Sequence, residues 1–173
     1  MSVPRGAAPR RRPLPHPDRL EDGFSLLELM VVFTIIGVLA GVAIPTYLAA
    51  RRTAQDHAAQ SDLRVGLEAA NTAYADVQDL AALDAGALGG VEPSLTFVGG
   101  PVRNPGHVSV VTGTLDNAPV AFVSLAERSA AGTCWYVYEP ETSPPAYGKG
   151  APAADGSCDA TQGVGVAAPS FPA

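Results

Sequence analysis

Between Gly23 and Pro45 the chain is apolar except for three side chains, Ser25, Glu28 and Thr34. Phe24 to Ile44 spans 21 residues, close to the roughly 20 that carry a helix across a bilayer. A helix satisfies its own backbone hydrogen bonds, as a lone lipid-exposed segment must. The run therefore predicts a membrane-spanning helix. Two plainer readings compete. An ordinary secretory signal would be cut near Gly41-Val42-Ala43 or Leu48-Ala49-Ala50, but it has an uncharged apolar core of roughly 7–15 residues. A simple anchor leaves Gly23 and Glu28 without a purpose.

Glu28 is the anomaly. A lone carboxylate deep in a bilayer costs about 2.5–3.5 kcal/mol on insertion scales. It must sit near the interface or find a partner, and the run contains no cation. A cut after Gly23 would create one, because Phe24 would then carry a free amino group. That amine could neutralise Glu28 of its own chain or of a neighbour.

The hexapeptide Gly23-Phe24-Ser25-Leu26-Leu27-Glu28, its apolar continuation and Pro45 resemble the processing site of type IV prepilins and type II secretion pseudopilins. The resemblance covers Gly23 to about Tyr47, with a looser likeness beyond. One departure is Glu21-Asp22, where many members carry a basic residue. The resemblance implies that a membrane-embedded prepilin peptidase and methyltransferase cuts Gly23–Phe24 and methylates the Phe24 amine. It implies that Glu28 guides docking of subunits into a filament, a homo-oligomer built through the N-terminal helix. It further implies an assembly ATPase and a platform protein as partners. The precursor would be a single-pass protein of the cytoplasmic membrane, and the product a surface filament serving adhesion, motility, DNA uptake or secretion.

Residues 1–23 hold five arginines and three acids, and five prolines. They read as a disordered leader whose positive charge favours the cytoplasmic side. The remainder holds six basic and fourteen acidic residues. So acidic a chain is a poor candidate for broad electrostatic contact with DNA, and any nucleic-acid role would be indirect.

Residues 24–45 form the span. Pro45 removes one helical hydrogen bond and is expected to kink the helix or melt it locally. Gly37 and Gly41 would let a second helix approach closely. Residues 46–85 are rich in helix formers, with Gly66 as a soft spot. Leu63, Leu67, Ala70, Tyr74 and Val77 make one apolar stripe, opposite Asp62, Arg64, Glu68, Asp76 and Gln78. Helix from Phe24 to about Leu80 would be roughly 85 Å long. Gly86, Gly89 and Gly90 are expected to end the helical region. From there to residue 139 short β-prone runs follow, at Leu95–Val98, His107–Thr112, Val120–Leu125 and Cys134–Tyr138. They alternate with turn signals at Gly99-Gly100-Pro101, Asn104-Pro105-Gly106, Asp116-Asn117 and Ala131-Gly132. This predicts an α+β fold: a long N-terminal helix, its first half transmembrane, packed on a small C-terminal antiparallel sheet. Residues 140–173 read as an irregular loop and tail.

Cys134 and Cys158 are the only cysteines. Outside the membrane they are expected to form one intrachain disulfide; free thiols or pairing between chains are the alternatives. A surface disulfide loop of this kind also fits the resemblance. No metal site is read from the cysteines. Asp84, Glu92, Asp155 and Asp159 could bind calcium, but their spacing does not fit an EF-hand, and solvated loop acids are the simpler reading. His16, His57 and His107 stand apart in sequence and read as solvated side chains. Nucleotide, zinc-protease and serine-hydrolase motifs are not found. The sequence reads as a structural subunit without cofactor or catalytic residues. A pilus subunit is preferred over a pseudopilin, and over a membrane-anchored binding domain that never polymerises.

Overall fold

The computed structural model describes residues 23–115 and 120–172. Residues 1–22 of the expected leader, with His16, and the turn expected at Asp116-Asn117 lie outside the described residues. The element order is α1 (Leu26–Val77), a 3-10 turn (Leu80–Ala82), α2 (Ala85–Val91), then β1 (Thr96–Val98), β2 (His107–Thr114), β3 (Ala121–Arg128), β4 (Cys134–Pro140) and β5 (Ala146–Gly150). A second 3-10 turn, Ala160–Gly163, follows. The chain divides into two units within α1, between Val42 and Ala43.

The described residues of the first unit, 23–42, are helix from Leu26 onward. Its large apolar side chains, from Phe24 to Val42, are exposed. The second unit holds the core. The strands form one sheet in the order β1-β2-β3-β4-β5. Residues of α1 at helical spacing, Ala59, Leu63, Leu67, Ala70 and Ala73, pack with Val108, Val123, Leu125, Trp135 and Val137 on one face of the sheet. Alternate residues point to the other face, where Ala126, Cys134 and Tyr136 meet Val102, Cys158 and Ala160. β3 is therefore covered on both faces, and only its last residue, Arg128, escapes full burial.

The α+β fold, the long helix and the sheet agree with the sequence reading; several details differ. α1 stops at Val77, where Gln78 turns left-handed with φ 58°. Val77 is 52 % exposed, and Ala73 takes its expected place in the core because the stripe drifts as α1 leaves the sheet. Helical assignment runs through Pro45 without a break, so the local melting expected there is not seen. Gly86, Gly89 and Gly90 do not end the helical region but lie inside α2. Asp84 caps that helix, accepting from the Ala87 N–H at 2.7 Å, and buried Leu88 anchors it. A side-chain cap and one core contact outweigh the glycines' weak helix propensity.

The sheet is not a pure antiparallel meander. β1 pairs parallel with β2. The loop between them is drawn across by Val102, which exchanges two backbone hydrogen bonds of 2.8 Å with Cys158. That detour returns the chain to the same end of the sheet before β2 begins. β5, in the segment expected to be irregular, pairs antiparallel with β4. Its sequence, Ala-Tyr-Gly-Lys-Gly, has no β-branched residue, so it carries little strand signal of its own. A Cβ at Gly148 would stand 2.5 Å from the Val166 side chain, so the glycine that resembled a loop residue is needed for close packing. Tyr147 also bonds to Ala168, which covers part of the outer edge of β5. Gly66, expected only to soften the helix, lies close against the sheet: a Cβ there would stand 3.2 Å from Leu125 and 3.3 Å from Phe97.

Cys134 and Cys158 form the expected disulfide, with Cα atoms 5.6 Å apart. It ties the C-terminal segment to the sheet face away from α1. Loop closure over a separation of this size contributes about 3 kcal/mol. Replacing both cysteines with serine should lower the thermal midpoint of the second unit by roughly 10 °C, as read by near-ultraviolet circular dichroism.

Glu127 is fully buried on the α1 face. One carboxyl oxygen accepts from the Gly106 N–H at 2.9 Å, and the other has no partner. Burial pushes this carboxyl up to about 8, with the Asp62 charge adding to the effect. Asp62 and Glu139 are raised too, by burial. A raised acid favours the protonated native state. Its stabilising contribution is complete below the unfolded value of 4.5 and is lost as pH rises to about 8. Melting temperature should fall over that interval, and Glu127→Gln should flatten the fall. An unchanged slope in the variant would assign it to other groups.

Candidate functional site

The site predicted from sequence lies at the start of α1. Gly23, Phe24 and Ser25 precede the helix, and the Ser25 carbonyl accepts its first hydrogen bond, from the Leu29 N–H at 3.1 Å. Glu28 therefore falls in the first turn, where the helix dipole favours a negative charge. A Cβ on Gly23 would meet nothing within 4 Å, and its backbone is not left-handed. The fold does not require glycine there.

Glu28 shares one helix face with its apolar neighbours. Phe24, Leu29, Val32, Phe33 and Ile36 line a groove with it, of about 350 Å³. Among the described residues no cation pairs with Glu28. The groove thus presents one acid in an otherwise apolar wall. Thr34 is already satisfied, its hydroxyl donating to the Met30 carbonyl at 2.8 Å. Gly37 and Gly41 have open space at their Cβ positions, so another helix could come close to the backbone there. α1 is long and apolar enough to cross a membrane, and none of its most apolar stretch is buried.

The other candidate residues have local duties. Asp84 caps α2 and Asp159 caps the second 3-10 turn, accepting from the Thr161 N–H at 2.9 Å. Glu92 accepts from the Ser94 N–H at 3.1 Å. Asp155 accepts from the Ser157 hydroxyl and N–H and pairs with Arg103; these contacts, Ser157 foremost, lower its carboxyl to about 2. Among the described residues no three His, Cys, Asp or Glu side chains are grouped to hold a metal. His57 lies 3.3 Å from Gln60 Oε1, and His107 lies 3.5 Å from the Pro105 carbonyl.

Sequence reasoning missed Asp56. Its Oδ1 accepts from the Ser129 hydroxyl at 2.6 Å and from the Trp135 indole N–H at 3.2 Å. It clasps α1 to the β3–β4 turn and satisfies a buried indole. The sequence offered only an acid on a helix, with no sign of partners more than seventy positions away.

A family description, "Prokaryotic N-terminal methylation motif", matches residues 18–44. Fimbrial protein EcpC of Eikenella corrodens is 42 % identical over 45 residues, covering 26 % of this chain and 25 % of that protein. Fimbrial protein EcpB of the same organism is 43 % identical over 53 residues, covering 30 % and 29 %. The type IV wide pilus major component PilA4 of Thermus thermophilus is 56 % identical over 34 residues, covering 20 % and 26 %. The chain thus aligns with little more than a quarter of these relatives' length. No solved structure matches it. The exposed apolar helix, its lone acid and the glycine before it are the stretch that carries the N-terminal methylation motif of prokaryotic prepilins.

Proposed function

We propose that this chain is the precursor of a structural subunit of a type IV pilus or pilus-like filament. A prepilin peptidase cuts Gly23–Phe24, and the Phe24 amine is methylated. The span holds the subunit in the cytoplasmic membrane until an assembly ATPase and a platform protein drive it into a surface filament. The observation that carries this reading is Glu28, the one acid in an otherwise apolar groove, which meets no cation among the described residues. The processed Phe24 amine, from the same chain or a neighbour, supplies the missing charge. Leaving lipid for a protein core brings little hydrophobic gain, so packing and polar pairing must guide assembly. The methylation motif and the names of the three relatives support a pilus subunit; the preference over a secretion pseudopilin rests on those names. The chain acts here as the substrate of an enzyme, not as one.

Two substitutions test the proposal in the cells that make the protein. Gly23→Ala should leave thermal stability unchanged, since the added methyl meets nothing. It should nevertheless block processing, so that the full-length precursor accumulates on an immunoblot. Normal processing would count against Gly23–Phe24 as the scissile bond. Glu28→Ala should still be cut, yet yield at least tenfold fewer sheared filaments. Filament yield equal to the parent's would refute the pairing role.

A further inference from the structure

Beyond residue 23 four of the basic side chains are engaged. Arg64 lies over the Phe171 ring at 5.4 Å and Lys149 over Trp135 at 5.9 Å. Arg103 pairs with Asp155, and Arg128 donates to the Arg103 carbonyl. Arg51 and Arg52 are different: both are exposed, and among the described residues neither meets an acid.

These two are not scattered surface charges. Leu48, Arg51, Arg52 and Gln55 are spaced by three, one and three, which puts them on one helix face. With Ala130 and Ala131 they line a cavity of about 230 Å³. Those alanines belong to the β3–β4 turn, and the turn is fixed. Ser129 donates to Asp56, the Ser129 N–H bonds the Thr133 carbonyl at 2.8 Å, and the Gly132 N–H bonds the Ser129 carbonyl at 2.9 Å. Two arginines and a glutamine thus line the cavity, and no acid does. In so acidic a chain this is a site for an anion. Guanidinium forks match phosphate oxygens in pairs.

Position says which phosphate. Arg51 follows Ile44, the end of the apolar run, by seven residues, or about 10 Å of helix. Tyr47 and Leu48 lie between and are exposed at 68 % and 46 %; tyrosine is enriched where membrane meets water. Helical side chains lean towards the helix N-terminus, so both arginines lean back towards Ile44. Long stems then let their charged heads settle among lipid headgroups.

We infer that Arg51 and Arg52, assisted by Gln55, form a binding site for the phosphate of an anionic membrane lipid. The inference rests on the proposed membrane span of residues 24–44. The site fixes the depth and rotation of the anchored subunit, and the lipid must be released when the subunit leaves the bilayer.

The test uses the full chain in phosphatidylcholine vesicles containing a few per cent of an anionic lipid with a dansyl headgroup. Trp135, the sole tryptophan, bonds to Asp56 beside the site and serves as energy donor. Transfer should exceed that of a random lipid distribution at least twofold, and should fall to the random level in Arg51→Gln/Arg52→Gln. Arg51→Lys/Arg52→Lys should retain part of the excess. Equal transfer in the parent and the glutamine variant would overturn the assignment. So would saturable binding of inorganic phosphate to the chain in neutral micelles that depends on the same arginines, since that marks a free-anion site. Loss of filaments in the glutamine variant without any change in transfer would move the site to a neighbouring copy. Extraction of the parent from vesicles by alkaline carbonate would instead refute the membrane span itself.

Discussion

A single carboxylate in an apolar run, with no counter-charge among the described residues, limits how the start of α1 can be used. The apolar side chains around Glu28 are content in lipid or against other apolar helices. Glu28 is content in neither unless a cation arrives. Among the described residues none stands beside it, and Gly23 has no conformational task there. Both residues acquire a purpose on one reading: a cut between Gly23 and Phe24 creates an amine close to the acid. A charge pair formed only after processing would make assembly conditional on that processing, and would select one axial register among the many that an apolar helix otherwise allows.

The second unit meets a different requirement. Its sheet is covered on one face by α1 and on the other by the disulfide-bonded segment. Small residues on α1, Ala59, Gly66, Ala70 and Ala73, let the helix lie close to the strands. Asp56 fastens α1 to the β3–β4 turn through two hydrogen bonds. Phe171 then returns to the α1 face, packing on Trp135 and Tyr147. The core is modest and rich in alanine, so covalent closure and polar clasps supply rigidity that bulk would otherwise provide.

What could be read in advance was what local chemistry determines. The apolar run, the stripe from Leu63 to Ala70, the paired cysteines and the Gly23 to Glu28 motif depend on spacing or residue type within a short window. What escaped depends on partners far along the chain. β5 exists because β4 offers an edge and Val166 needs the space left by Gly148. β1 runs parallel because Val102 is bonded to Cys158. α2 survives three glycines because Asp84 caps it and Leu88 is buried. Glu127 carries no local sign of burial; the fold buries it on the α1 face of the sheet. At the N-terminus the motif was legible because its residues lie within six consecutive positions.

The account depends most on what stands beside Glu28 in the assembled protein, and the mass of the polypeptide recovered from sheared surface filaments tests this most directly. The account predicts a chain beginning at Phe24, heavier by one methyl group on its amine and lighter by two hydrogens for the Cys134–Cys158 bond. A chain that still carried its arginine-rich leader, or that began beyond Ile44, would contradict it.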